Sequence, residues 1–302
     1  MAPPRWSFLG HHRRDGDHRH RRRLPGRPDV LEPPGPHHLP RLAGRPRVRG
    51  VVDPLYSRSK HRPYAPPGEV GVTPTGVVID KEAIVRLHLG KLWLPYLKLE
   101  IPVHGFLIKH PDGAGLVDTG YGTDVSLIKE FRAVMVPIVE ALRRHDVEPG
   151  DIQWVINSHL HFDHCGQNGV FPHAPVYVQR QEHARIREHD YTIAEWLDYA
   201  GARYELLDGG AEIRPGVRVI TTPGHTPGHQ STVIDTTAGS VVMVGDAAFD
   251  VEQFEGGEPP PGTMEDVPTY HASLRRLREL QPASVHFCHD RRVRTTPSHR
   301  AS

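Results

Sequence analysis

The sequence predicts a layered α/β domain, with strands and helices mixed, over residues 70–302, behind a disordered basic leader over residues 1–69. Three observations carry this. First, charge is segregated: the chain holds 37 Lys+Arg and 36 Asp+Glu, a net of +1, yet residues 1–62 hold 15 basic and 5 acidic residues, and the remainder 22 and 31. Residues 1–62 are thus +10 and the rest −9. Second, ten of the 30 prolines fall in residues 1–62, where no apolar period of 3.6 or 2.0 survives. Third, from about Val70 short apolar runs bounded by Gly, Pro and Asp alternate with stretches of helical spacing, the pattern of layered sheets and helices.

The leader buries too little apolar surface to offset the entropy of ordering it. No apolar stretch follows Arg13-Arg14 or Arg21-Arg22-Arg23, so it is not a signal peptide. Asp15, Asp17 and Pro25 interrupt any amphipathic targeting helix. Its charge alone would favour nucleic acid or an anionic surface. Its Arg, Pro, His, Gly and Leu content is also that of translated GC-rich DNA. A start downstream would need a non-Met codon, since no Met lies between Met1 and Met135. No apolar run approaches the roughly 20 residues of a membrane span. Two cysteines exclude a disulfide scaffold, and the expected location is cytoplasmic.

Within the folded part, the runs Ile101–Lys109 and Gly115–Asp118, joined by Pro-Asp-Gly-Ala, predict a β-hairpin. Leu127, Phe131, Val134, Met135, Ile138 and Leu142 fall at helical spacing and predict an amphipathic helix of about 18 residues. Trp154–Ile156 and Pro175–Val178 are short strands, the second followed by a helix over Glu182–His189. Strands are expected at Val217–Thr221, Ser231–Ile234 and Ser240–Val244. Ser273–Leu280 is a last helix, stopped by Pro282, and Ser284–Cys288 a last strand.

The chemistry concentrates in Ser158-His159-Leu160-His161-Phe162-Asp163-His164-Cys165-Gly166, where a buried strand stops. Alternate residues of an extended segment point the same way, so His159 and His161 can approach one cation together. Asp163 and His164, from the following turn, can reach a second. Imidazole and carboxylate at this density suit zinc or a similar first-row metal. A chain with 23 His could carry a lone His-x-His by chance, but not readily a complete His-x-His-x-Asp-His after an apolar strand. Three further strand ends agree: Thr222-Pro223-Gly224-His225-Thr226-Pro227-Gly228-His229, Val244-Gly245-Asp246 and Phe287-Cys288-His289-Asp290. Functional groups at successive strand ends are characteristic of a site on a rigid scaffold.

The ordered set Leu116-Val117-Asp118-Thr119-Gly120, His159 to His164, His225, Asp246 and His289 resembles the metallo-β-lactamase superfamily over about Ile101 to Asp290. Within it, Ser-His-Leu-His-Phe-Asp-His at 158–164 and Thr-Pro-Gly-His-Thr-Pro-Gly-His-Gln-Ser at 222–231 look most like the N-acyl-homoserine lactonases. The resemblance implies a four-layer αβ/βα sandwich with two divalent metal ions, zinc above all, at one edge of its sheets. It implies His159, His161 and His225 on one metal, Asp163, His164 and His289 on the other, and Asp246 bridging both. Asp118 and His229 would support these ligands without touching metal. Cys165 and Cys288 flank ligands but occupy no ligand position, so both are expected to pack. Phe162 and Phe249 are expected at the substrate.

Two such cations would bring the pKa of a shared water towards about 7 from 15.7. The resulting hydroxide would open an ester or lactone ring, with Asp163 shuttling the proton to the leaving oxygen. The expected role is quorum quenching on a small-molecule lactone, without nucleic acid or membrane partners. The related lactonases usually carry a tyrosine three residues after the bridging aspartate. Here Phe249 keeps the ring and loses the donor, which leaves hydrolysis of another ester, lactone or glyoxalase-type thioester as the alternative. A nucleic-acid role through the leader is opposed by the acidic charge of the rest. No Gly-x-Ser-x-Gly elbow supports a serine hydrolase.

Overall fold

The computed structural model describes residues 78–296 except Tyr96, residues 124–128, residues 189–190 and Pro261, together with the backbone of Tyr56–Arg58. The expected disorder of the leader therefore concerns residues that lie almost wholly outside those described. The exception is Tyr56–Arg58, a short strand (β1) inside the stretch expected to pair with nothing. It runs parallel to β8 (Tyr204–Leu207) at a sheet edge.

The strand order of the first sheet is β1-β8-β7-β6-β4-β3-β2-β5, and of the second β14-β13-β12-β11-β10-β9. The predicted hairpin forms from β3 (Leu99–Ile108) and β4 (Ala114–Val117), with Phe106 opposite Val117 and Ile108 opposite Gly115. Beyond β4 lie β6 (Ile152–Ile156) and β7 (Val176–Gln179), all parallel. The second sheet holds β9 (Ala211–Arg214), β10 (Val217–Thr221), β11 (Gln230–Thr236), β12 (Gly239–Met243), β13 (Ser284–His286) and β14 (Val293–Thr295). Every strand expected from the sequence forms, its ends shifted by no more than two residues.

Three apolar clusters make these sheets the middle of a four-layer sandwich. Phe106, Ile108, Trp154 and Ile156 of the first sheet meet Val217, Val219, Ile234 and Met243 of the second. The outer face of the first sheet packs Leu89, Leu107, Leu116 and Val155 against Ile138 and Leu142 of α1 (Ile138–Arg143). The outer face of the second packs Val233, Val242 and Val285 against Tyr270, Leu274 and Leu277. No helix among the described residues is long and apolar enough to cross a membrane.

The predicted 18-residue helix does not form. Arg132 adopts a left-handed φ of 46°, and Val134–Met135 (β5) pair with Lys91 and Gly90 of β2 (Ile84–Leu94). Lys129 and Glu130 are helical, the path breaks at Phe131, and helix resumes only after Pro137, because the proline ring drives the residue before it out of the α region. Phe131, Ile138 and Leu142 are buried as their spacing implied, but Val134 is 52% exposed; Leu127 lies outside the described residues. The helix expected over Glu182–His189 is one turn, α3 (Arg180–His183), after the similarly short α2 (Phe162–Cys165). The last long helix starts earlier than expected, at Val267, because Asp266 accepts a hydrogen bond from the Thr269 N–H and caps it.

Candidate metal centre

β10, β12 and β13 run in one direction, since β11 is antiparallel to both β10 and β12 while β12 and β13 are parallel. Their carboxyl ends therefore share an edge of the second sheet. The carboxyl ends of β4 and β6 share an edge of the first. The chain leaves β6 into Asn157–His161 and α2, β10 into the His225 turn, β12 into Asp246 and β13 into His289. Gly245 turns the chain after β12 with φ 60°, and a Cβ there would stand 2.6 Å from His229 Nε2. Only glycine allows that approach.

The loops bring together all seven side chains expected as ligands. Donor atoms of His159, His161 and His225 lie within 4.8 Å of one another, as do those of Asp163, His164 and His289, and of His159, His164 and Asp246. Asp246 lies between the groups: Oδ2 is 3.3 Å from His225 Nε2 and 4.0 Å from His159 Nε2, while Oδ1 is 3.3 Å from His164 Nε2 and 3.2 Å from His289 Nε2. Asp163 Oδ2 is 3.5 Å from His289 Nε2 and 3.7 Å from His164 Nε2.

The outward nitrogens decide which lone pairs face inward. His225 Nδ1 is 2.6 Å from the Thr263 carbonyl, His289 Nδ1 2.9 Å from the Pro102 carbonyl, and His164 Nδ1 2.9 Å from Asp118 Oδ2. These oxygens only accept, so Nδ1 carries the proton and Nε2 presents a lone pair to the centre. His159 Nδ1 lies 3.1 Å from Ser158 Oγ, which itself donates to Asp118 Oδ2 at 2.8 Å. His161 instead turns Nδ1 inward, 3.0 Å from His225 Nε2. Among the described residues, buried His159 Nε2, His164 Nε2 and Asp246 Oδ1 have no hydrogen-bond partner. Orphaned inward acceptors beside two carboxylates are a donor set that fits a divalent cation.

The electrostatics divide the histidines. Burial and then its neighbour His164 hold the His159 pKa well below the ordinary value, as burial and His225 do for His161. Burial also opposes charge on His164, but Asp246, Asp163 and Asp118 outweigh it and hold its pKa well above ordinary, so these carboxylates draw positive charge to Nε2, where a cation would displace the proton. Asp246 is held well below the usual carboxylate range because His289, His164 and His225 overcome its desolvation.

Asp118 and His229 both stand behind the candidate ligands. Asp118, fully buried at a φ of 58°, accepts from the Ser158 N–H and hydroxyl and from His164. His229 has both ring nitrogens engaged, Nδ1 with Thr222 Oγ1 and Nε2 with the Asp246 N–H, each at 2.9 Å. It therefore holds the Asp246 backbone and offers no lone pair to a metal. Cys165 and Cys288 are buried and free, and burial pushes both thiols up to about 12. Phe162 and Phe249 line a cleft over the centre with Leu92, Leu94, Ile101 and Phe131. The Phe249 ring stands edge-on to His289 and His225, with centroids 5.2 and 5.8 Å away. Sequence reasoning missed the oxygens of Thr263 and Pro102 that orient ligands, and the buried Glu182. Backbone carbonyls leave no trace in residue type, and a glutamate after Gln179-Arg180-Gln181 reads as a surface residue.

Residues 100–289 match the family model of the metallo-beta-lactamase superfamily. The chain belongs to this superfamily. As a metallo-β-lactamase-fold protein it is 35% identical over 214 residues to an N-acyl homoserine lactonase of Bacillus sp., covering 64% of this chain and 82% of the relative. It is 30% identical over 217 residues to the N-acyl homoserine lactonase AttM of Agrobacterium fabrum, covering 63% and 82%. A solved structure of a Bacillus thuringiensis AiiA variant, with N-decanoyl-L-homoserine at its active site, superposes with a TM-score of 0.61 at 30% identity. That match covers 71% of this chain and 95% of the other. The chain is a metallo-β-lactamase-fold hydrolase, and the relatives it matches are named as lactonases.

Proposed function

We propose that this metallo-β-lactamase-fold hydrolase uses two divalent metal ions, zinc above all, to open the ring of N-acyl-homoserine lactones, a quorum-quenching activity. The observation that carries the proposal is the convergence of inward lone pairs on His159, His161, His164, His225 and His289 around Asp246, beneath an apolar cleft. His159, His161 and His225 would hold one ion, Asp163, His164 and His289 the other, and Asp246 both. When bound, the ions would supply Lewis acidity and bring the pKa of a water towards about 7.

The chain's own residues do the rest. Asp163 lies at the floor of the cleft and is only 8% exposed. It accepts the proton of the attacking water and returns it to the ring oxygen as the carbonyl–oxygen bond breaks, leaving an acid and an alcohol. Leu92, Leu94, Ile101 and Phe131 form an apolar wall for an acyl chain and keep bulk water from the reaction. Phe249 packs against two ligand rings but offers no hydrogen bond to a carbonyl. That specific feature favours, as second reading, another ester, lactone or thioester. Hydrolysis rates over acyl-homoserine lactones, simple esters and a glutathione thioester, with metal analysis of the same preparation, test the choice. Activity confined to the thioester would overturn the lactonase reading.

A further inference from the structure

Glu182 is 0% exposed, on the one-turn helix α3 that follows β7. Its carboxylate reaches in three directions. Oε1 accepts from the Leu160 N–H at 3.0 Å and from the Tyr191 hydroxyl. Oε2 accepts from the Thr226 hydroxyl at 2.8 Å. Leu160 stands between His159 and His161, and Thr226 follows His225. The two loops so joined leave different sheets, the first from β6 and the second from β10. They carry the three histidines assigned above to one metal position, and none of the hydrogen bonds of Glu182 described above goes to Asp163, His164 or His289.

Two further contacts tighten the arrangement. A Cβ at Gly228 would stand 2.4 Å from Glu182 N and 2.7 Å from its Cβ, so the His225 turn closes directly onto α3. The Tyr191 ring meets His161 edge-on at 4.9 Å, and the Arg185 guanidinium covers it at 4.3 Å from the centroid. Arg185 spends its own charge on Glu265 and Glu188, 2.6 and 2.9 Å away. Among the described residues no cation is bonded to the buried Glu182 carboxylate, and burial pushes its pKa up to about 7. Packing alone would be served better by an apolar side chain.

We infer that Glu182 is a positioning residue: its carboxylate clamps the Leu160 and Thr226 loops together and so pre-sets the spacing of His159, His161 and His225 for their metal ion. The inference rests on the reading of those histidines as ligands. Outer partners of metal ligands typically govern about 10–100-fold in affinity, and this one acts on a single position of the two.

Stepwise chelator competition on the full-length protein loaded with zinc, and again with cobalt, tests it. Glu182→Met keeps the bulk and removes the acceptors; one of the two binding steps should weaken by roughly 10–100-fold and the other stay at the wild-type value. Glu182→Gln should rescue that step, because its amide oxygen can take Leu160 and Tyr191 while the Thr226 hydroxyl turns to accept from the NH₂. Thr226→Val removes one arm alone and should weaken the same step by a smaller factor, which keeps the test open if Glu182→Met fails to fold. Equal weakening of both steps in any variant, or wild-type binding by Thr226→Val, would overturn the clamp. Wild-type protein that binds no metal would instead defeat the reading of the histidines as ligands.

Discussion

Asp118→Asn changes one atom and should damage both the fold and the metal centre. The Ser158 N–H points at Oδ1 at 2.8 Å, while the Ser158 hydroxyl and His164 Nδ1 point at Oδ2 at 2.8 and 2.9 Å. An amide in either orientation sets its NH₂ against a buried N–H, and an unpaired buried donor costs about 1–3 kcal/mol. At roughly 2–4 °C per kcal/mol for a domain of this size, melting should fall by about 2–12 °C. The alternative is a change of tautomer at His164. Nδ1 would then accept, and the proton would move to Nε2, the nitrogen that faces Asp246 at 3.3 Å. That route preserves the fold and removes a metal lone pair, so affinity should drop by about 10–100-fold. Thermal melting of the chelator-stripped protein reads the first cost and chelator competition the second. If the Asp118→Asn protein melts and binds metal as wild type does, Asp118 is not the orienting group of His164.

Asp163→Asn should lower kcat by about 10²–10⁴-fold on any substrate the enzyme turns over, measured at matched metal content, if Asp163 is the proton carrier proposed above. Phe249→Tyr should raise kcat/KM on homoserine lactones by a few-fold, well below the roughly 10²–10³ that one well-placed oxyanion donor can supply. An unchanged value with metal intact would mean that the ring does not face the carbonyl. His104 should make the protein acid-sensitive. Burial, then Arg86, lowers its pKa to about 3, whereas in the unfolded chain it titrates near 6.5. Below about pH 6.5 the unfolded state binds the extra proton, so stability falls as pH drops towards 3, by up to about 1.4 kcal/mol per pH unit. Denaturant melts of His104→Leu should show a flatter slope over that window. Removal of residues 1–54 should leave melting and hydrolysis unchanged, whereas removal of residues 1–62 also deletes β1 from the sheet edge, which calorimetry of the two truncations would separate.

Local chemistry determined much of this protein in advance. A strand with alternating or continuous apolar residues announces itself wherever it lies, so the hairpin and the strands of the second sheet were legible. So were the candidate ligands, because a cation demands particular side chains and places them at strand ends. The long helix was misread because helical spacing between Phe131 and Leu142 survives a strand and a proline turn. Burial of Phe131, Ile138 and Leu142 needs only that three points reach one core, and Pro137 sets the backbone between them. What tertiary structure alone decided is how the two halves of the centre meet. Pro102 aims His289 and Thr263 aims His225 through backbone oxygens that any residue type would provide. Glu182 joins loops whose sequences are separated by more than sixty residues. Residue type records the chemistry a side chain can do, but the direction of a lone pair depends on what stands behind the ring, and folding settles that.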